Sequence, residues 1–102
     1  MIIYEVNLNV QTDIADQYAA WLREHIVQML AFDGFLKAVW LEDADPPEGE
    51  RRWSVQYHLR DRASLDHYLE HHAPEMRRDG LERFPGKFTA TRRILGPVMD
   101  FQ

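Results

Sequence analysis

Residues Leu65 to Phe88, LDHYLEHHAPEMRRDGLERFPGKF, hold two helical runs separated by a proline and closed by a Pro-Gly turn. Leu65, Tyr68, Leu69 and His72 recur at helical spacing and share one face. Pro74 has no N–H to donate and its ring crowds the preceding turn, so a helix must break or restart there. Met76, Leu81 and Phe84 mark a second short run, and Pro85-Gly86 turns the chain into a final strand, Lys87 to Leu95.

Upstream, Ile2, Tyr4, Val6, Leu8 and Val10 alternate with Glu5, Asn7 and Asn9, the period-two pattern of a strand with one apolar face. Thr12 or Asp13 then supplies N-cap chemistry for a helix whose apolar stripe runs Ile14, Tyr18, Trp21, Leu22, Ile26, Met29. That helix stops near Asp33-Gly34, where glycine takes a left-handed cap. Phe35 to Glu42 and Arg52 to Arg60 are rich in β-formers and flank the acidic, proline-bearing loop Asp43 to Glu50. The order β-α-β-β-α-β predicts an α+β, ferredoxin-like fold, a four-stranded antiparallel sheet with its helices on one face. The helix side should carry Val6, Leu8, Val55 and Tyr57, and the open side Glu5, Asn7, Asn9, Gln56 and His58.

One domain spanning residues 1–102 suits this length, with a short tail from Gly96 in which Met99 and Phe101 should act as apolar anchors. A net charge of −5 and scattered basic pairs argue against nucleic acid, which needs a clustered cationic face. The absence of cysteine removes disulfides, thiolate nucleophiles and cysteine metal sites. Met1 leads straight into a strand with no leader pattern, and no long apolar run suggests a membrane span. A cytoplasmic protein is therefore expected.

The segments IYEVNLNV, WLREHI, VQYHL, YLEHHAP, LERFPGKF and RRIL together resemble the family known as domain of unknown function 4286, over Ile3 to Leu95. The family often has a proline shortly after its helix-one histidine, where this chain has Gln28. The resemblance implies a dimeric α+β barrel, in which two ferredoxin-like sheets pack face to face. The wider superfamily includes cofactor-free monooxygenases, small isomerases, haem-degrading enzymes and proteins without catalysis. Its haem degraders use an asparagine, a tryptophan and a histidine; Asn7, Trp53 and His72 offer those types here, but Asn7 falls on the wrong face.

His25 lies central to the first helix's apolar stripe, and His72 one turn beyond Tyr68 and Leu69. A titratable imidazole on an apolar face suits proton transfer, and equally suits satisfying a helix-end carbonyl. Tyr4, Trp53 and Tyr57 from the sheet, with Trp21 and Tyr68 from the helices, would line a pocket around these catalytic candidates. His67 and His71 share i, i+4 spacing but point to solvent, with only Glu70 or Glu75 nearby as a third ligand, so no metal is expected, nor any cofactor. Arg77 and Arg78 should pair with Glu75, Asp79 or Glu82.

Two readings follow. The favoured one is a non-catalytic or regulatory homodimer, joined through the polar sheet face of Glu5, Asn7, Gln56 and His58. Trp21, Tyr57, Tyr68 and Phe84 then fill the space between helices and sheet. The alternative is a cofactor-independent monooxygenase or isomerase, with that space open to a small apolar or aromatic molecule.

Overall fold

The computed structural model describes residues 1–102. Its elements are β1 (Ile2–Gln11), α1 (Ala15–Leu30), β2 (Phe35–Glu42), β3 (Glu50–Leu59), α2 (Arg62–His71), α3 (Ala73–Arg83) and β4 (Phe88–Leu95). The four strands form one antiparallel sheet in the order β2-β3-β1-β4, with the helices on one face. This is the ferredoxin-like α+β fold expected from the element order, with its second helix divided in two.

Alternation along β1 sets the two faces. Tyr4, Leu8 and Val10 are buried beneath the helices, joined by Trp53, Val55, Tyr57 and Leu59 of β3. Tyr18, Leu22 and Met29 of α1 and Leu65 and Tyr68 of α2 close over them. Each such side chain stabilises the fold by roughly 1.5–3 kcal/mol through burial. Val6, although central in the sheet, is only partly covered, because the helix layer stands open above it.

The divide between α2 and α3 falls at His72, whose φ of −126° departs from helical values. Pro74 sits in the first turn of α3, where its missing N–H costs nothing. Asp61 caps α2 by accepting a hydrogen bond from the Ser64 amide at 2.8 Å. Gly34 has φ of +85°, and a Cβ there would also collide with Ser64, so this turn admits only glycine.

Two local expectations are corrected. Thr12 and Asp13 do not cap α1; residues Thr12–Ile14 form a 3-10 turn, and α1 begins at Ala15 without a side-chain cap. The Asp13 carboxylate is instead held by the Lys87 ammonium at 2.8 Å, a charge-assisted bond to the last turn before β4. In the tail, Met99 and Phe101 do not act as anchors but are 70% and 82% exposed.

Candidate active site

A cleft of about 370 Å³ opens between α1, α3 and the helix-facing side of β1, β3 and β4. Its sheet wall is Tyr4, Val6, Leu8, Val55, Tyr57, Phe88 and Ala90. Trp21, Leu22, His25 and Met29 descend from α1, and Met76, Arg77, Gly80 and Leu81 come from α3. The volume and the mostly apolar lining are those of small-molecule sites, of order 300–1,000 Å³.

Gly80 lets α3 come close to α1: a Cβ there would lie 2.9 Å from the Trp21 ring. The indole is pinned, its Nε1 donating to Asp79 Oδ2 at 2.9 Å while Arg83 Nε donates to Oδ1 at 2.9 Å. Those two hydrogen bonds hold the Asp79 carboxyl below its ordinary range. The His25 ring stacks on Trp21 with centroids 4.6 Å apart. Burial pushes the imidazole down to about 4, with the nearby Asp79 charge opposing the shift. His25 is thus neutral at neutral pH, presenting one N–H and one free lone pair.

His25 and Trp21 also border a shallower, polar groove on the far side, with Gln17, Glu24, Gln28, Asp79 and Arg83. The imidazole therefore stands between an apolar interior and a hydrated exterior. On the cleft floor, the Tyr4 hydroxyl accepts from the Arg77 guanidinium at 2.9 Å. Burial raises the Tyr18, Tyr57 and Tyr68 phenols, so they stay protonated as neutral donors.

The structure brings Tyr4, Trp21, His25, Tyr57 and Tyr68 together around this cleft. Trp53 is not among its lining: it is buried at 3% exposure, edge-on to Trp40 and stacked with Tyr18. His72 also lies outside, stacked on Phe32 at 4.4 Å beyond the end of α1. The His67 and His71 rings lie 4.4 Å apart, tilted by 43°, and no cluster of three metal-ligating side chains occurs anywhere. Arg77 does not join the acidic pairs expected of it, because it faces Tyr4; Asp79 goes to Arg83 and Trp21 instead. Arg77, Arg92 and Gly80 were not anticipated as cleft residues. The heptapeptide spacing from Ala73 to Gly80, which places Arg77 between them on one α3 face, was the available signal.

On the open side of the sheet, Glu5 is only 4% exposed. It accepts from Arg93 Nε at 2.6 Å, Gln56 Nε2 at 2.8 Å and Asn7 Nδ2 at 3.1 Å, and Ser54 Oγ donates to Asn7 at 2.5 Å. These donors, Arg93 first, draw the Glu5 carboxyl down to about 2. His58 Nδ1 on the same face is buried without a partner, and Val39 and Leu41 of β2 stand exposed beside it.

No curated protein matches the chain. Among solved structures, a candidate antibiotic biosynthesis monooxygenase from Nitrosomonas europaea superposes with a TM-score of 0.72 at 19% identity, covering 97% of this chain and 100% of that one. SnoaB, a cofactor-independent oxygenase from Streptomyces nogalater, gives 0.68 at 10% identity, covering 97% and 95%. The heme-degrader MhuD from Mycobacterium tuberculosis, with two hemes bound in its active site, gives 0.69 at 16% identity over 100% of both chains. At such identities the likeness establishes a common fold. The sequence pattern of the family "Domain of unknown function (DUF4286)" matches residues 1–98, and the chain belongs to that family.

Proposed function

We propose that the chain is a small enzyme of the cofactor-independent oxygenase type, acting on a planar apolar or aromatic molecule in the α1–α3 cleft. The observation that carries this reading is an open apolar cleft walled on one side by a neutral imidazole. The aromatic residues frame this space rather than filling it, which favours an enzyme over a non-catalytic homodimer. Fold likeness to a cofactor-independent oxygenase adds support.

Without a cofactor, the substrate itself must supply the electrons. A methylene flanked by aryl or carbonyl groups loses a proton to the free lone pair of His25, the nearby Asp79 charge offsetting the one the imidazole gains, and an electron-rich carbanion is left. The carbanion reduces dioxygen and bonds to it, and the resulting hydroperoxide loses water. The carbon ends as a carbonyl with one oxygen atom; the other leaves as water with both methylene hydrogens. The Tyr57 and Tyr68 phenols are neutral donors able to hold the developing oxyanion. His25 returns its proton to solvent through the polar groove it also borders.

Haem chemistry does not suit these residues. Asn7 lies on the opposite sheet face bonded to Ser54 and Glu5, Trp53 is sealed behind Trp40, and His72 rests on Phe32.

The reading includes a single domain, a cytoplasmic setting and a homodimer through the polar sheet face. Exposed Val39 and Leu41 on that face support the interface, since a second copy would cover them.

The test is oxygen uptake with planar aromatic C–H acids such as anthrone, in the presence of chelator and without added flavin. Turnover by the wild type and a drop of about 100-fold or more in His25→Gln, with the circular dichroism of the folded state retained at pH 7, is expected. Equal rates in the two proteins would remove His25 from the chemistry.

A further inference from the structure

We propose that the cleft selects anionic aromatic substrates, with the guanidinium groups of Arg77 and Arg92 as the specificity-determining pair. This inference deepens the small-molecule reading above and rests on it.

The protein as a whole is acidic, at net −5, yet no Asp or Glu lines the cleft. The two charged side chains in its wall are both arginines. Arg77 extends from α3 over the sheet; one nitrogen donates to the Tyr4 hydroxyl, and its Nε is buried with no partner at all. The guanidinium thus has a neutral hydroxyl for a partner and no carboxylate to balance its charge. Arg92 comes from the opposite wall, on the β4 position paired with Val6 of β1, and thus on the helix-facing side. The next residue, Arg93, faces the other way and is neutralised by Glu5; Arg92 has no carboxylate partner.

Its charge reaches the cleft interior. It opposes protonation of His25 and works against the rise of the Tyr18, Tyr57 and Tyr68 phenols. Nearby acids that could quench the field are engaged elsewhere: Asp79 is held by Trp21 and Arg83. Two unneutralised guanidiniums at an apolar slot match an aromatic ring bearing a carboxylate, which arginine recognises through paired N–H donors. Neutral aromatics would leave both guanidinium charges without a counter-ion and gain nothing from them.

The experiment is calorimetric titration at pH 8, where His25 is neutral, with 2-naphthoate and its uncharged analogue 2-naphthalenemethanol. Naphthoate is expected to bind at least about tenfold tighter. Arg77→Gln and Arg92→Gln should each abolish most of that preference and leave the alcohol's affinity within about twofold. Arg62→Gln, on the exposed face of α2 and paired with Asp66, serves as control and should change neither. Arg92 is exposed, so its variant keeps the test valid if Arg77→Gln folds poorly. Equal affinities for the two ligands, with each displacing the other, would overturn the anion preference while leaving a small-molecule cleft in place. A naphthoate preference that survives both arginine variants would overturn the assignment to these residues. Failure of both ligands to bind at millimolar concentration would overturn both this inference and the reading beneath it.

Discussion

His25 and Glu5 titrate on opposite faces of the sheet, and their effects on stability fall in separate pH windows. The folded protein holds His25 near 4, below its ordinary 6.5, so the unfolded chain binds the extra proton between those values. Stability is therefore full above pH 6.5 and declines as pH falls toward 4, by up to about 1.4 kcal/mol per unit. His58, also lowered by burial, acts in the same direction. Urea midpoints measured from pH 7 to 4 should fall less steeply in His25→Phe, which keeps the stack on Trp21. Glu5 is lowered from 4.5 to about 2, so its contribution is present above pH 4.5 and is lost as pH falls through 2. Glu5→Gln should cost about 1–3 kcal/mol at pH 7 by breaking a charge-assisted bond to Arg93, and should flatten the pH 4.5 to 2 limb of the same titration. At this scale the alternation of β1 made Tyr4 and Glu5 legible as opposite-facing neighbours. The Glu5–Arg93 pair was not, because it joins residues 88 positions apart and no local pattern records it.

The contact of α3 with α1 depends on Gly80. An alanine there gains roughly 1 kcal/mol of helix propensity, but its Cβ would sit 2.9 Å from an indole already fixed by Asp79 and stacked on His25. The larger Gly80→Val should lower stability by about 1–3 kcal/mol. Trp21→Phe, which removes the clashing ring edge, should recover part of that loss in the double variant; a chemical-denaturation double-mutant cycle measures the coupling. The strands and the break before Pro74 could be read from composition and periodicity, since their causes are local. The α1 start could not: the Asp13 side chain that looks like a cap is taken by Lys87, 74 residues away. Likewise the arginine-lined cleft follows from how α3 is phased over β4, which only packing decides.

At the scale of the molecule, the polar sheet face has no helix over it, and Val39 and Leu41 meet solvent at 36% and 47% exposure. Sedimentation should return twice the chain mass of 12.1 kDa for the wild type, and the chain mass alone for Val39→Glu combined with Leu41→Glu. A wild type sedimenting at 12.1 kDa at every concentration would exclude this interface. β1 is first in sequence but central in the sheet, with β3 on one side and β4 on the other. During synthesis, residues 2–59 can assemble three strands long before Phe88–Leu95 leaves the ribosome. Through that interval the β1 backbone from Ile3 to Val10 offers its amides and carbonyls to any passing strand. A nascent chain stalled before Phe88 should therefore need chaperone protection that the finished protein does without.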